Sequence, residues 1–206
     1  SVMDACILDD YGETLFDDPQ YAFIPFSENI KSSVRVSLDT WSDVTGINFI
    51  EVQENGDGNS YGDIRLYIQD FSKWSTIDSI FDNAGAFAFL PNVDDVFDAL
   101  QGDIFFDVKN LSTESYSPYL ISHEIGHALG LDHPFEGTYT ADLKNYNSIL
   151  TYDQTNILAS DPMPVDIEAM EFLYGVNNNA KSGDTVYHHT FNNYQITGQN
   201  GGFRTS

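Results

Sequence analysis

The stretch His123-Glu124-Ile125-Gly126-His127-Ala128-Leu129-Gly130-Leu131-Asp132-His133 decides how this chain is read. On a helix, residues four apart share a face, so His123 and His127 present two imidazoles to one metal ion. Glu124 stands beside the first of them, where its carboxylate reaches a water at the metal without ligating the metal itself. Gly130 falls where the helix must end. Glycine takes positive φ there without steric cost and sends the chain sharply away. That turn lets His133, six residues after His127, return as a third ligand. Three neutral imidazoles with one position left open are the donor set of a catalytic zinc, whereas a structural zinc fills all four positions. The bland alternative is a surface helix with chance histidines. Three of the chain's five histidines fall within these eleven residues, with Glu124 and Gly130 both in place, which argues against it. His188-His189 sit in a loop-like tail and read as surface residues or, at most, an adventitious metal site.

Composition narrows the setting. At 206 residues and 41% apolar, the chain suits one domain with its own core, with or without a short tail. No run of eighteen apolar residues marks a membrane span, and no basic segment followed by an apolar one marks a signal peptide. Eight basic residues face 32 acidic ones, a formal net charge of -24. Such a surface repels nucleic acid and attracts cations. It reads first as a solvated acidic face and second as a source of calcium ligands. The loop 54–63 and the cluster Asp94, Asp95 and Asp98 offer oxygens, yet neither follows the twelve-residue calcium-loop pattern. Cys6 is the single cysteine, so no internal disulfide forms; it reads as an idle thiol rather than a ligand from an inhibitory leader.

The remaining pattern predicts the elements around the motif. Ser27 opens a helix whose Ile30, Val34, Leu38 and Trp41 share one face, and Gly46 stops it. Strands are expected at 47–52, 63–68, 85–90 and 102–108, with the alternating Ala and Phe of 85–90 placing the rings on one side. A second helix runs from Pro118 to Leu129. A long loop follows over roughly 134–160. A third helix begins near Pro164, carries Ile167, Met170, Leu173 and Tyr174 as its apolar stripe, and ends before Gly175. A strand is expected at 184–187 in the tail. Helix, then sheet, then two helices indicates one α+β domain.

Segment 123–133 resembles the metzincin clan of zinc peptidases, and the chain within that clan is similar to the serralysin family of secreted bacterial proteases. The resemblance runs from about Ser27 to Tyr187. It takes in Phe87-Ala88-Phe89-Leu90-Pro91, Gly102-Asp103-Ile104-Phe105-Phe106, Ser148-Ile149-Leu150-Thr151-Tyr152, Asp166-Ile167-Glu168-Ala169-Met170, Leu173-Tyr174-Gly175 and Gly183-Asp184-Thr185-Val186-Tyr187. It implies a metzincin-type fold: a twisted, mostly parallel sheet with an antiparallel edge strand, two upper helices, and an irregular lower subdomain with a C-terminal helix. It implies zinc on His123, His127 and His133, with Glu124 as general base. The family's tight turn under the zinc, a methionine followed two residues later by a tyrosine, maps to Leu150 and Tyr152. The tyrosine ligates resting zinc, then swings away to hydrogen-bond the transition state. Leu150 departs from the family methionine but conserves volume and apolarity at the floor of the site. The edge strand that pairs with substrate maps to Gly85, Ala86, Phe87, Ala88 and Phe89.

The expected organisation is an N-terminal arm or leader remnant at 1–26, a catalytic domain at 27–175, and a tail at 176–206. The family's C-terminal calcium-binding repeats are absent, so the tail reads as the start of a truncated or atypical following region. The expected function is a zinc-dependent endopeptidase acting on extended polypeptides. The alternative is a catalytically weak binding or self-processing module of a larger calcium-dependent surface or secreted protein. The expected partners are a polypeptide substrate and a proteinaceous inhibitor, for a monomeric chain that is secreted by resemblance.

Overall fold

Ser27 begins the first helix as expected, its hydroxyl accepting the amide of Ile30 at 3.3 Å. In the computed structural model this helix, α1, spans Glu28–Thr45 and ends where Gly46 adopts φ 72°. The structure describes residues 23–52, 62–74, 79–91, 100–111, 116–136, 146–152, 159–177, 188–190 and 193–195. Cys6, the acidic loop over 54–61, the Asp94–Asp98 cluster and the expected strand at 184–187 lie outside them.

After α1 come strand β1 (Leu66–Gln69), a short helix α2 (Phe71–Trp74), and strands β2 (Ala86–Ala88) and β3 (Ile104–Asp107). Helices α3 (Pro118–Ala128) and α4 (Pro164–Tyr174) follow, then a small hairpin of β4 (His188–Thr190) and β5 (Asn193–Gln195). The sheet has the order β1-β3-β2. β1 runs parallel to β3, and β2 pairs antiparallel to β3 as the edge strand. Helices on a small mixed sheet make an α+β domain, as expected.

Two of the strand expectations need correcting. Residues 47–52 form no strand: they run as coil with Ile50 and Val52 exposed. Their composition favours a strand, but composition alone supplies no partner edge. The first sheet strand starts at Leu66 rather than Asp63, because Asp63 and Ile64 form a bend. The short helix α2 and the tail hairpin carry too few residues to show a period in the sequence.

β2 shows how alternation positions the site. Phe87 faces Phe105 across the ladder, the rings stacked 5.0 Å apart at 9°. Phe87 and Phe89 join Phe71, Phe81 and Phe105 in an aromatic cluster on one side of the sheet. Ala86 and Ala88 point to the other side and pack on the main core. Two methyl groups on that side keep the edge strand close to α3. α3 is buried on nearly all faces. Trp41 of α1, fully buried, donates its indole N–H to the carbonyl of Ser122 at 3.1 Å and to its hydroxyl at 3.0 Å. Gly126 makes that approach fit: a Cβ there would stand 3.0 Å from Leu150 Cδ2 and 3.1 Å from Trp41 Cζ2.

On α4 the buried face is Asp166 and Met170, whereas Leu173 and Tyr174 of the expected stripe are exposed. Tyr174 instead donates its hydroxyl to the carbonyl of Leu129 at 2.8 Å, tying α4 to the end of α3. At the N-terminal side, Ile24 donates its amide to Ile68 at 2.9 Å and Phe23 packs on Tyr67, so residues 23–26 lie along β1. No helix among the described residues is long and apolar enough to cross a membrane.

One of the chain's few cations is spent inside. Arg65 forms a bidentate pair with Asp103, Nε to Oδ1 at 2.8 Å and the second nitrogen to Oδ2 at 2.7 Å, and Asp103 is fully buried. The pair joins the approach to β1 to the approach to β3. Removing one partner strands a buried charge, while replacing both does not. Arg65→Ala is expected to lower the unfolding free energy by about 3–5 kcal/mol in urea titrations, and Arg65→Met with Asp103→Leu to recover most of it. A small effect of Arg65→Ala would show that Asp103 is stabilised by other means.

Candidate metal centre and active site

Residues of α3 and the turn after it bring the three histidines to one point. Their Nε2 atoms lie 3.1, 3.1 and 3.3 Å apart. The sequence pattern explains how. His123 and His127 share the buried face of α3, one turn apart. The helix then closes in a Schellman turn: Gly130, at φ 100°, donates its amide to His127, and Leu131 donates to Gly126. The reversed chain carries His133 back.

The outer nitrogens settle the tautomers. His123 Nδ1 faces the carbonyl of Ile149 at 2.8 Å, and His127 Nδ1 faces the carbonyl of Leu131 at 2.7 Å. His133 Nδ1 faces the Glu136 carboxylate at 3.2 Å. Carbonyls and carboxylates only accept, so each Nδ1 carries the proton and each Nε2 turns a lone pair inward. Burial first, and neighbouring histidines second, push His123 down to about 3; burial, partly offset by the bond to Leu131, pushes His127 down to about 4. Both are neutral near pH 7. Three lone pairs pointed at one another repel unless a cation lies among them. Nitrogens ligating zinc tetrahedrally stand about 3.3 Å from one another. The observed spacing fits, and the donor set is that of a zinc site.

Glu124 lies beside this centre, fully buried, and burial pushes its carboxyl up to about 8. Its Oε2 has no hydrogen-bond partner among the described residues. A buried carboxylate oxygen left unpaired is costly and calls for a functional reason. It borders a cavity of about 390 Å³ lined by Asn83, Ala84, Gly85, Ala86, Tyr119, Leu120, His123 and Tyr152. Of the expected substrate strand, Gly85 and Ala86 line this cavity; Phe87 and Phe89 face the aromatic cluster instead, and Ala88 packs on the core.

Tyr152 reaches the same centre. Its ring stacks on His123 at 5.8 Å and leans on His133 at 4.6 Å. Partial burial, then Glu124 and Glu136, raise its phenol above the usual value, so it stays protonated and able to donate. Leu150, 1% exposed, lies under Gly126 where the floor of the site was expected.

Two supporting residues were not singled out from the sequence. Tyr119 donates its hydroxyl to the carbonyl of Thr151 at 3.0 Å. Asp166, in the first turn of α4, accepts from the Ser148 hydroxyl at 2.6 Å and from the amides of Ile149 and Met163 at 2.7 and 2.8 Å. Because Ile149 holds His123 through its carbonyl, Asp166 fixes the first ligand at one remove. In the sequence it stood only within the resembling segment 166–170 and as an acid two positions after Pro164, with no role of its own.

Known proteins resemble this chain in sequence. The family model described as Matrixin matches residues 20–175. Serralysin of Proteus mirabilis is 33% identical over 191 residues, covering 79% of this chain and 38% of that protein. The metallopeptidase AprA of Pseudomonas marginalis is 29% identical over 192 residues, covering 80% and 38%. Serralysin A of Dickeya chrysanthemi is 29% identical over 185 residues, covering 82% and 38%. The chain thus spans well under half the length of the curated relatives it matches.

Asp166→Ala would strand three donors at once. It is expected to cost about 3 kcal/mol or more of stability and to weaken zinc retention, because Ile149 is freed. Chemical denaturation with and without zinc checks both, and equal loss in the two conditions would break the link to His123.

Proposed function

Because the chain belongs to the matrixin family, we propose that it is a zinc-dependent endopeptidase that hydrolyses peptide bonds in extended polypeptide substrates. One observation carries this reading: three inward Nε2 lone pairs beside a buried carboxyl whose Oε2 has no partner among the described residues, at the edge of an open cavity. Zinc bound to His123, His127 and His133 supplies a Lewis acid that acidifies a water and polarises the scissile carbonyl. Every other part of the chemistry falls to the chain's own groups.

Glu124 Oε2 accepts the proton of the attacking water and delivers it to the departing amine. Its buried position beside the ligands and at the border of the cavity places it for this exchange. Tyr152 donates its hydroxyl to the oxygen that gains charge as the carbonyl becomes tetrahedral. Among the described residues β2 pairs with β3 on one side only, and its other edge is the place for backbone pairing with an extended substrate. Gly85 and Ala86 then run past the cavity beside Glu124. The proposal includes a secreted chain, whose strongly acidic surface favours solubility outside the cell.

Cleavage of casein by the purified chain, abolished by a chelator and restored by zinc, tests the activity. Zinc-loaded chain without cleavage would favour a binding module. Glu124→Ala is expected to keep zinc and fold but lose nearly all cleavage, because Glu124 adjoins a ligand without being one. Retention of activity close to the parent's would remove Glu124 from the base role. Tyr152→Phe keeps the ring and loses the donor, which lowers kcat roughly 10²–10³-fold with little change in KM. An unchanged kcat at full zinc content would leave Tyr152 a packing residue.

A further inference from the structure

His133 is the least enclosed of the three ligands. His123 and His127 are buried within α3 and rest their Nδ1 atoms on main-chain carbonyls. His133 lies beyond the helix, is only half-buried, and rests its Nδ1 on a side chain, Glu136, at 3.2 Å. The backbone brings Glu136 there through a tight turn in which its amide donates to the carbonyl of His133 at 3.1 Å. Phe135 covers the face of the same imidazole, with ring centroids 4.8 Å apart and planes at 14°. Phe135 also abuts Tyr152 at 5.0 Å.

We propose that Phe135 and Glu136 are positioning residues that clamp His133 and thereby set the zinc affinity of the centre. Glu136 holds the proton on Nδ1, aims Nε2 inward and makes it a better donor. Phe135 fixes the plane of the ring and braces the side from which Tyr152 leans in. Neither touches the reacting atoms. The inference rests on the three-histidine zinc site and deepens it: retention of the metal depends also on two side chains that follow the motif and touch the third ligand directly, where the other two ligands face main-chain acceptors. Aromatic stacking and a carboxylate partner act on different freedoms of the ring, rotation about its bonds and tautomer, so their effects are separable.

The test is the zinc dissociation constant of the full chain, measured by competition with a chromophoric chelator. Glu136→Ala is expected to weaken zinc by roughly 10–100-fold. Glu136→Gln, which keeps an acceptor and loses the charge, is expected to weaken it less. Phe135→Leu, which keeps apolar bulk without a stacking face, is expected to raise the zinc dissociation rate. Melting of the metal-free forms should stay at the parent's value for both Glu136 variants. Parental zinc affinity in Glu136→Ala overturns the clamp. So does a loss of melting temperature in the metal-free variants that accounts for the loss of zinc, since that is a merely structural role. His133→Ala separates the two levels: if it also binds zinc as the parent does, the three-histidine site fails and the clamp with it.

Discussion

Everything at the centre of this molecule depends on three imidazole nitrogens being held closer than their lone pairs tolerate. Each Nε2 is forced inward because its Nδ1 is committed outward to an acceptor. Those acceptors come from three separate places: the turn at Ile149, the chain reversal at Leu131, and Glu136. The constraint therefore reaches through most of the fold. Asp166 of α4 ties down Ile149, Gly130 makes the reversal to Leu131, and α1 fixes α3 through Trp41. A cation among the three nitrogens turns mutual repulsion into shared attraction, so metal binding and local order are one free energy.

The same packing explains the small residues near the site. Gly126 lets Trp41 and Leu150 press on the helix from below, and Ala86 lets the edge strand approach it from the side. Leu150 stands where relatives of this type are expected to carry methionine, and it is fully enclosed. A branched side chain of similar volume is compatible with such a position. The bulk on β2 is displaced to the far face of the sheet, where Phe87 and Phe89 build a second core.

Much of this was legible in the sequence because the motif combines three local rules. Four-residue spacing gives one helix face, glycine gives the reversal, and histidine gives the donors. The ends of α1, α3 and α4 followed from Ser27, Gly46, Pro118, Pro164 and Gly175 for similar local reasons. What was not legible depends on contacts between distant segments. Residues 47–52 have strand composition but no partner, and Leu173 and Tyr174 have apolar character but no core to enter. Asp166 and Ser148 look like ordinary polar residues until the fold brings them together, eighteen positions apart in sequence. Phe135 and Glu136 carry no pattern of their own, and their meaning appears only when the reversal folds them over His133.

X-ray absorption at the zinc edge on the metal-loaded chain reads the ligand shell without relying on activity. One zinc per chain is expected, with the multiple-scattering features of three imidazoles and no sulfur in the first shell. Fewer than three imidazoles, or a shell that includes sulfur, would contradict it and would place the metal away from His123, His127 and His133.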